Sequence, residues 1–445
     1  MAKQSLLVGC GAGFSGDRVD APGPVVRTLA ARGGPACLML ETLAERTLAL
    51  AQLRRLESLE AGYEPLLARL LAPVLGTCLE RGIRVVTNAG AANPAAAARR
   101  VRELARELGL RPPRIAVVSG DDVSGPAHAP FLAAAFGGER RPVSANAYLG
   151  AEAIAKAWDA GADVIVTGRV ADPSLAVGPA MAHHGWSETD WDRLGRATMA
   201  GHLLECGAQV SGGYFADPGF KDVPGLAEVG FPVARIDAQG ACVVGKADAT
   251  GGCVTEATVK EQLLYEVHDP AAYLTPDVTA DITEARVTAA GPDLVALEGV
   301  RGHERPRNLK VSAFFEGGWF AEGEISYAGP GAEARARLAA DILAKRLPHL
   351  RLRADLIGVT SLFGDDAGRL LAATPAGDAR DVRLRVAAAH ADLEGARRLG
   401  EEVTALYTCG PAGGGGVRTA MRPRLTTASC YLPREAVPAR FDWAD

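Results

Sequence analysis

Short apolar runs alternate with amphipathic stretches along the first half of the chain. The runs have the length of strands and lie at 5–10, 36–40, 84–87, 115–119 and 163–167. Between them, apolar residues recur at helical spacing over 24–31, 44–59, 64–79, 95–108 and 151–160. Strands that are apolar throughout are typical of parallel sheets covered on both faces, joined by right-handed βαβ crossovers. We therefore expect a three-layer α/β domain with a mainly parallel sheet over residues 1–220.

The pattern changes after a stretch rich in glycine and proline at 217–232. A hairpin-like segment at 235–244 is followed by a helical pattern at 255–267. Alternating, strand-like positions then fill 277–298 and 309–327, and a strong helical pattern covers 332–347. Strands and helices in this mixture predict a second, α+β domain over residues 221–445.

The amino-acid composition of the chain excludes several functional classes. The 48% of apolar and 23% of charged residues are ordinary for a globular protein. Forty-eight basic against 53 acidic residues give a net charge of −5, which argues against a nucleic-acid binder that relies on bulk charge. No apolar run is long enough to span a membrane, and no signal-peptide pattern opens the chain. Eight cysteines without a CxxC pair indicate reduced thiols, so we expect a cytoplasmic protein without nucleic-acid or membrane partners.

A GxGxxG string follows the first predicted strand, and Glu41 ends the next one. This outline resembles a dinucleotide fingerprint, but Pro22 and Pro24 interrupt the place where the helix of that motif should begin. We therefore expect no bound NAD(P). A loop that binds an anion or the substrate is the better interpretation, with these contributors: Gly11, Gly13, Asp17 and Arg18.

Polar residues that helix capping does not explain follow three of the predicted strands. They are Asn88, Asp121, Asp122 and Arg169. The carboxyl ends of parallel strands meet at one edge of a sheet, where ligands bind, so we expect these side chains to gather there. The adjacent aspartates fit a divalent-cation site, a general base or a simple turn.

Further candidates lie in the second half of the first domain and beyond. Burial of Glu205, at a helix end in apolar surroundings, would be costly without a partner. Cys206, with His202 one turn before it, is either a packing residue or a nucleophile with its base. Glycine-rich turns predict anion or ligand contacts through free backbone N–H groups at Gly251, Gly252, Gly413 and Gly414. Lysine is rare in this arginine-rich chain, which draws attention to Lys221 and Lys260.

Several long strings resemble the acyclic terpene utilisation protein AtuA family. They include NAYLGA at 146–151, TGRVADPSL at 167–175, GHLLECGAQVSGGYFADPGFKDVPG at 201–225, KEQLLYEVHDPAAYLTPDV at 260–278 and EGEISYAGPG at 322–331. The resemblance runs along nearly the whole chain and implies a part in degrading citronellol- and geraniol-type terpenoids. Longer members append a C-terminal domain of about a hundred residues. Its absence leads us to expect either a separate small subunit or its loss.

These observations together predict a catabolic enzyme acting on a small branched or unsaturated carboxylate or its coenzyme A thioester. A lyase or hydratase step fits best, since the sequence carries no redox, nucleotide-binding or nucleophile-triad signature. Such a step needs a base, an acid and an anion clamp. The candidates are Asp121, Asp122 or Glu205 as base, Lys221 or Lys260 as acid, and Arg169 with the glycine loops as clamp. The alternative is a non-catalytic scaffold that binds a small partner protein. We also expect a homo-oligomer.

Overall fold

The computed structural model describes residues 3–137 and 142–444, and the chain divides into two compact units. The larger unit comprises Met1–Ala313 and Ala428–Asp445, and the smaller unit comprises Phe314–Thr427. The boundary that we expected at residue 220 lies inside the larger unit. The second half of the chain therefore contributes to both units.

Six strands of the larger unit come from the first half of the chain. They are β1 (Leu6–Ala12), β2 (Ala36–Leu40), β3 (Arg84–Thr87), β4 (Ile115–Ser119), β5 (Ser144–Ala147) and β6 (Val164–Thr167). Five of them pair in parallel in the order β1-β2-β3-β6-β4. Nearly every position in these five strands is buried, which explains why the sequence lacks polar alternation there. The predicted parallel sheet is thus confirmed for this part of the chain.

Nine helices accompany these strands among the described residues. They are α1 (Pro22–Arg32), α2 (Glu45–Glu57), α3 (Leu67–Leu71), α4 (Leu75–Arg81), α5 (Pro94–Glu107), α6 (Ala129–Phe136), α7 (Glu152–Asp159), α8 (Ser174–His184) and α9 (Trp191–Glu205). Helix α5, predicted over 95–108, begins at Pro94, where the Asn93 side chain caps it by accepting a hydrogen bond from Ala96 N at 3.3 Å. The single helix predicted over 64–79 is instead the pair α3 and α4.

The next part of the larger unit is built from short strands and one helix. In chain order they are β7 (Pro232–Ile236), β8 (Cys242–Lys246), α10 (Glu256–Leu264), β9 (Tyr273–Leu274), β10 (Thr279–Asp281), β11 (Arg286–Gly291), β12 (Leu294–Glu298) and β13 (Arg301–His303). Strands β7, β8, β12 and β11 extend the parallel strands on the β1 side, all by antiparallel pairing. The complete sheet is therefore mixed, and our expectation of a mainly parallel sheet holds for its centre alone.

The smaller unit has the order of a split βαβ fold. Its elements are β14 (Asn308–Ala328), α11 (Ala332–Arg346), β15 (Arg353–Ile357), α12 (Arg369–Ala373), β16 (Asp381–His390), α13 (Leu393–Cys409) and β17 (Gly415–Pro433). The first residues of β14 and the last of β17 belong to the larger unit. The sheet order β15-β16-β14-β17, with two helical crossovers, is the ferredoxin-like arrangement. Helices α11 and α13 share one apolar core with alternate residues of β14 and β16.

The last strand, β18 (Arg440–Trp443), returns to the larger unit and pairs antiparallel with β4. Among the residues that the structure describes, no helix combines the length and the apolar character needed to cross a bilayer.

All eight cysteines are free thiols. Cys10, Cys37, Cys78 and Cys242 are buried, whereas Cys409 is exposed. Burial raises the pKa of each of these four buried thiols, since a thiolate is poorly solvated there.

Candidate functional site

The carboxyl ends of the parallel strands bring four buried polar residues to one edge of the larger unit's sheet. Glu41 follows β2, Asn88 follows β3, Asp121 follows β4 and Arg169 follows β6. Each is at most 6% exposed. The gathering that the sequence predicts for Asn88, Asp121 and Arg169 is thus present, and Glu41 joins it.

Asn88 holds Glu41 in place. The Asn88 Nδ2 group donates a hydrogen bond to Glu41 Oε1 at 2.8 Å, and Leu43 N donates to the same oxygen at 2.7 Å. Burial raises the pKa of Glu41 to about 7, against the opposing effects of the Asn88 hydrogen bond and the Arg169 charge. We considered Glu41 in the sequence only as part of a dinucleotide motif, so this part of the site was missed.

Asp121 and Asp122 have different surroundings despite being neighbours. Asp121 Oδ2 accepts hydrogen bonds from Arg169 N at 3.0 Å and Asn146 Nδ2 at 2.9 Å, and burial raises its pKa to about 6. Asp122 instead accepts from Ser124 N at 3.0 Å in an exposed turn. The two carboxylates therefore do not face one ligand. Within 3–137 and 142–444, no three or more histidine, cysteine or acidic side chains are arranged to hold a metal ion.

Arg169 is only 1% exposed, and its guanidinium is fully engaged by the protein. It donates to Leu43 O, to Val170 O and to the Asp172 carboxylate, and its Cζ lies 4.5 Å from the Tyr148 ring centroid. A buried arginine with this many partners orients the residues around it. Its guanidinium is not a free anion clamp.

Arg169 and Tyr148 form part of the wall of a cavity of about 550 Å³ in the larger unit. On another part of the wall, Glu45 Oε1 accepts hydrogen bonds from Lys310 Nζ at 2.8 Å and Tyr148 Oη at 3.1 Å. Burial acts to raise the pKa of Glu45, but the Lys310 ammonium outweighs it and the pKa is lowered. Leu274 and Tyr431, also lining residues, are 63% and 67% exposed. The cavity thus combines paired charges with exposed apolar side chains.

Behind the Tyr273 side of the cavity lies a buried acid–base pair. His202 Nδ1 is 2.8 Å from Glu205 Oε1, and Tyr273 Oη is 3.5 Å from the same nitrogen. His202 Nε2 and Glu205 Oε2 are buried without a hydrogen-bond partner in the described part of the chain. Leaving such atoms unpaired costs about 1–3 kcal/mol each. This cost favours a functional role for the pair.

The pKa values of His202 and Glu205 are both raised. Burial raises the pKa of Glu205, while burial of His202 is outweighed by the neighbouring Glu205 charge, so its pKa is raised as well. Glu266, which lines the cavity, adds to both effects and has a left-handed φ of 59°. Strained non-glycine residues cluster at functional sites. Sequence reasoning singled out Glu205, but nothing in the pattern pointed to Tyr273 or Glu266.

Cys206 follows Glu205, but its thiol is a poor nucleophile. Burial and the Glu205 charge both raise its pKa. The packing interpretation of this cysteine is therefore the better one.

The glycines of the first loop serve close packing. Gly11 lies within β1, where a Cβ would come 2.9 Å from a Leu40 methyl group. A Cβ on Gly13 would lie 2.2 Å from Gly207 N, so the two backbones need this glycine. Gly13 N donates to Asp17 Oδ2 at 2.8 Å, which leaves it unavailable to an anion.

Arg18 points to a separate part of the surface. Its guanidinium pairs with Asp20 at 2.8 Å, and helix α1 begins only at Pro22, four residues after it. The loop therefore lacks the helix start of a dinucleotide motif, as the two prolines predict.

The glycine turn before α10 does not offer free N–H groups. Gly251 N donates to Glu228 O at 2.8 Å and Gly252 N donates to Pro224 O at 2.7 Å. Our expectation of an anion site there needs correction, since the backbone itself takes up these donors.

The two lysines lie outside the cavity wall. Lys221 pairs with Glu261 and lies 4.8 Å from the Phe215 ring centroid, and Lys260 pairs with Glu256 at 3.1 Å. Both have the surroundings of surface ion pairs.

Gly413 and Gly414 belong to the smaller unit, in the turn between α13 and β17. Gly413 has a left-handed φ of 70°, and a Cβ on Gly414 would lie 2.8 Å from an Ile325 methyl group. Turn geometry and close packing account for both glycines, and neither belongs to the cluster around Arg169.

Comparison with known proteins gives one positive result. The sequence model of a family described as acyclic terpene utilisation family protein AtuA matches residues 6–443. No curated protein and no solved structure matches the chain.

Proposed function

Since the chain belongs to the AtuA family of acyclic terpene utilisation proteins, we propose that it is a catabolic enzyme of that process. The family places the chain in acyclic terpene utilisation, and the chemical step is our proposal. We propose a hydratase or lyase step on a small branched or unsaturated acyl group. The observation that carries this proposal is the buried Glu205–His202 pair beside the cavity.

The arrangement suits proton transfer without a covalent intermediate. Tyr273 lines the cavity and its hydroxyl lies 3.5 Å from His202 Nδ1, which in turn contacts Glu205. The pKa values of the histidine and the carboxyl are both raised, and the contact between the two groups lets them share a proton and pass it on. In hydration, water adds its hydroxyl to one alkene carbon and a proton to the other. We assign Tyr273 as the group that moves the proton at the cavity wall, with the Glu205–His202 pair behind it.

The charges around the cavity favour a thioester over a free carboxylate. Lys310 is paired with Glu45, and Arg169 is paired with Asp172. A carboxylate substrate would have to displace one of these partners, whereas a neutral thioester carbonyl needs only a hydrogen-bond donor. The exposed side chains of Leu274 and Tyr431 supply apolar contact for a branched chain.

The acid that we assigned to Lys221 or Lys260 from the sequence is replaced in this proposal. Both lysines lie off the cavity wall and hold surface ion pairs. Asp121 remains a candidate for orienting Arg169, through its bond to Arg169 N.

The test is incubation of the full chain with branched 2-enoyl thioesters and, separately, the free acids. Mass spectrometry then follows the gain of water, and experiments in D₂O follow deuterium uptake at carbon. Water addition to the thioester that is lost in Glu205→Gln, but kept in the exposed-site control Glu256→Gln, supports the proposal. Absence of turnover, with stabilisation only by a small co-expressed protein, would favour the scaffold alternative.

A further inference from the structure

Strand β17 leaves one edge of the smaller unit's sheet open. Among the described strands, the sheet order ends at β17, with β14 as its one neighbour. Seven consecutive residues, 418–424, are exposed. An unpaired edge offers N–H and C=O groups to an added strand. Pro423 has no N–H, so the stretch suited to such pairing is 418–422.

The open face of this sheet carries charges that alternate from strand to strand. Arg385 on β16 pairs with Glu322 on β14 at 2.6 Å, and Arg383 pairs with Glu324 at 3.5 Å. Arg422 on β17 lies over Phe320, which shares the face of Glu322, at 5.0 Å from the ring centroid. The succession across the strands is therefore basic, acidic and basic.

Strand β17, the last basic strand of this face, has no acidic strand on its outer side among the described strands. Arg418 and Arg422 lie two alternations apart on this face, and neither has an ion-pair partner within the described residues. Opposite charges on adjacent strands stabilise a sheet, so the next strand on this side should present carboxylates.

The other face of β17 borders a groove of about 580 Å³. Helix α13 forms one wall, with Gly400 and Thr404 beside the charged residues Arg397 and Glu401, and Thr419 and Met421 of β17 form the other wall. A Cβ on Gly400 would lie 3.5 Å from Thr419 Cβ, in ordinary contact. The groove has room for apolar side chains from a strand added beside β17.

We propose that β17 binds an extended segment of another protein in which acidic and apolar side chains alternate. Acidic residues would lie beside Arg418 and Arg422, and the apolar ones would enter the groove beside Met421. A second copy of β17 is a poor occupant, because antiparallel pairing would bring arginines against arginines. Arginine and proline also protect an edge strand from aggregation, but that role does not account for the groove.

The test uses two labelled peptides and the full chain, with fluorescence anisotropy as the measurement. One peptide alternates Glu with Val, and the other alternates Lys with Val. We expect the Glu peptide to bind the unaltered chain. The double variant Arg418→Glu with Arg422→Glu should bind the Glu peptide about tenfold or more weakly. The same variant should bind the Lys peptide more tightly than the unaltered chain does. Gly400→Leu, which fills the groove, should weaken binding of the Glu peptide without changing its charge preference.

The matched control reverses two exposed arginines elsewhere in the smaller unit, Arg369→Glu with Arg380→Glu, and should leave binding intact. Equal binding by the two double variants would overturn the proposal. So would failure of both peptides to bind the unaltered chain. A single-stranded oligonucleotide that binds more tightly than the Glu peptide and displaces it would assign the surface to nucleic acid instead.

Discussion

Glu205 Oε1 lies 2.8 Å from His202 Nδ1, one helical turn apart at the end of α9, and the remaining polar atom of each side chain is buried without a hydrogen-bond partner among the residues that the structure describes. Two ionisable groups in contact share their protons as a pair, so neither titrates alone. Burying such a pair costs folding free energy, and a catalytic role accounts for its presence.

Glu205→Gln should lower kcat on the thioester substrate by about 10²–10⁴-fold, because the amide cannot accept the proton that the pair moves. Tyr273→Phe should also lower kcat. The free energy of unfolding should change little in Tyr273→Phe, which keeps the ring. Steady-state kinetics and urea unfolding check this. Full kcat in both variants would contradict the proton-transfer role.

Glu41 makes folding stability depend on pH. Its pKa is about 7 in the folded chain, mainly because of burial, against roughly 4.3 in an unfolded chain. The folded state therefore holds a proton that the unfolded state releases, so the contribution of Glu41 to stability is fully present below about pH 4 and is lost as the pH rises through 7. Glu41→Gln should flatten this fall. Urea unfolding between pH 5 and pH 7.5 measures it, with exposed Glu57→Gln keeping the original slope.

Gly13→Ala should destabilise the fold by about 1–3 kcal/mol, because its Cβ would lie 2.2 Å from Gly207 N and neither backbone can yield easily. The segment after Glu205 would shift, so kcat should fall as well. Gly125→Ala is the control, since a Cβ there meets no described atom within 4 Å. If thermal unfolding finds the two variants equally stable, the close approach is not needed.

Lys310→Gln should raise KM for the thioester more than it lowers kcat. The lysine lies on the cavity wall and is paired with Glu45, so its loss leaves a carboxylate facing the substrate. Lys156→Gln, which breaks an exposed helical pair with Glu152, should leave KM unchanged. A KM that stays the same in Lys310→Gln would place the substrate elsewhere.

Much of the fold was predictable because it is local. Apolar runs of strand length marked β2, β3, β4 and β6, and the helical spacing over 95–108 marked α5 (Pro94–Glu107). The pairing of strands that lie far apart in the sequence was not predictable. Strand β18 joins β4, and β7 joins β1, through contacts across a large part of the chain that no local pattern encodes.

The candidate site likewise contains residues that the sequence predicts and residues that it does not. Asn88, Asp121 and Arg169 could be found because strand ends converge at one edge of a parallel sheet. Tyr273 could not, because it sits in a two-residue strand, and its approach to His202 depends on tertiary packing. The anion contacts predicted at the glycine turns were wrong for a related reason. A glycine that packs against another backbone cannot be told in sequence from a glycine that contacts a ligand.

Four of the thiols buried in the larger unit provide a built-in reporter of unfolding. Cys10, Cys37, Cys78 and Cys242 are shielded and protonated in the native chain, so an alkylating reagent reaches them only during an opening event. Cys409, in the smaller unit, reacts without any such event. Pulsed labelling followed by peptide mass mapping would therefore record how often the ten-stranded sheet opens, with one fast-reacting site in the same molecule as the internal standard.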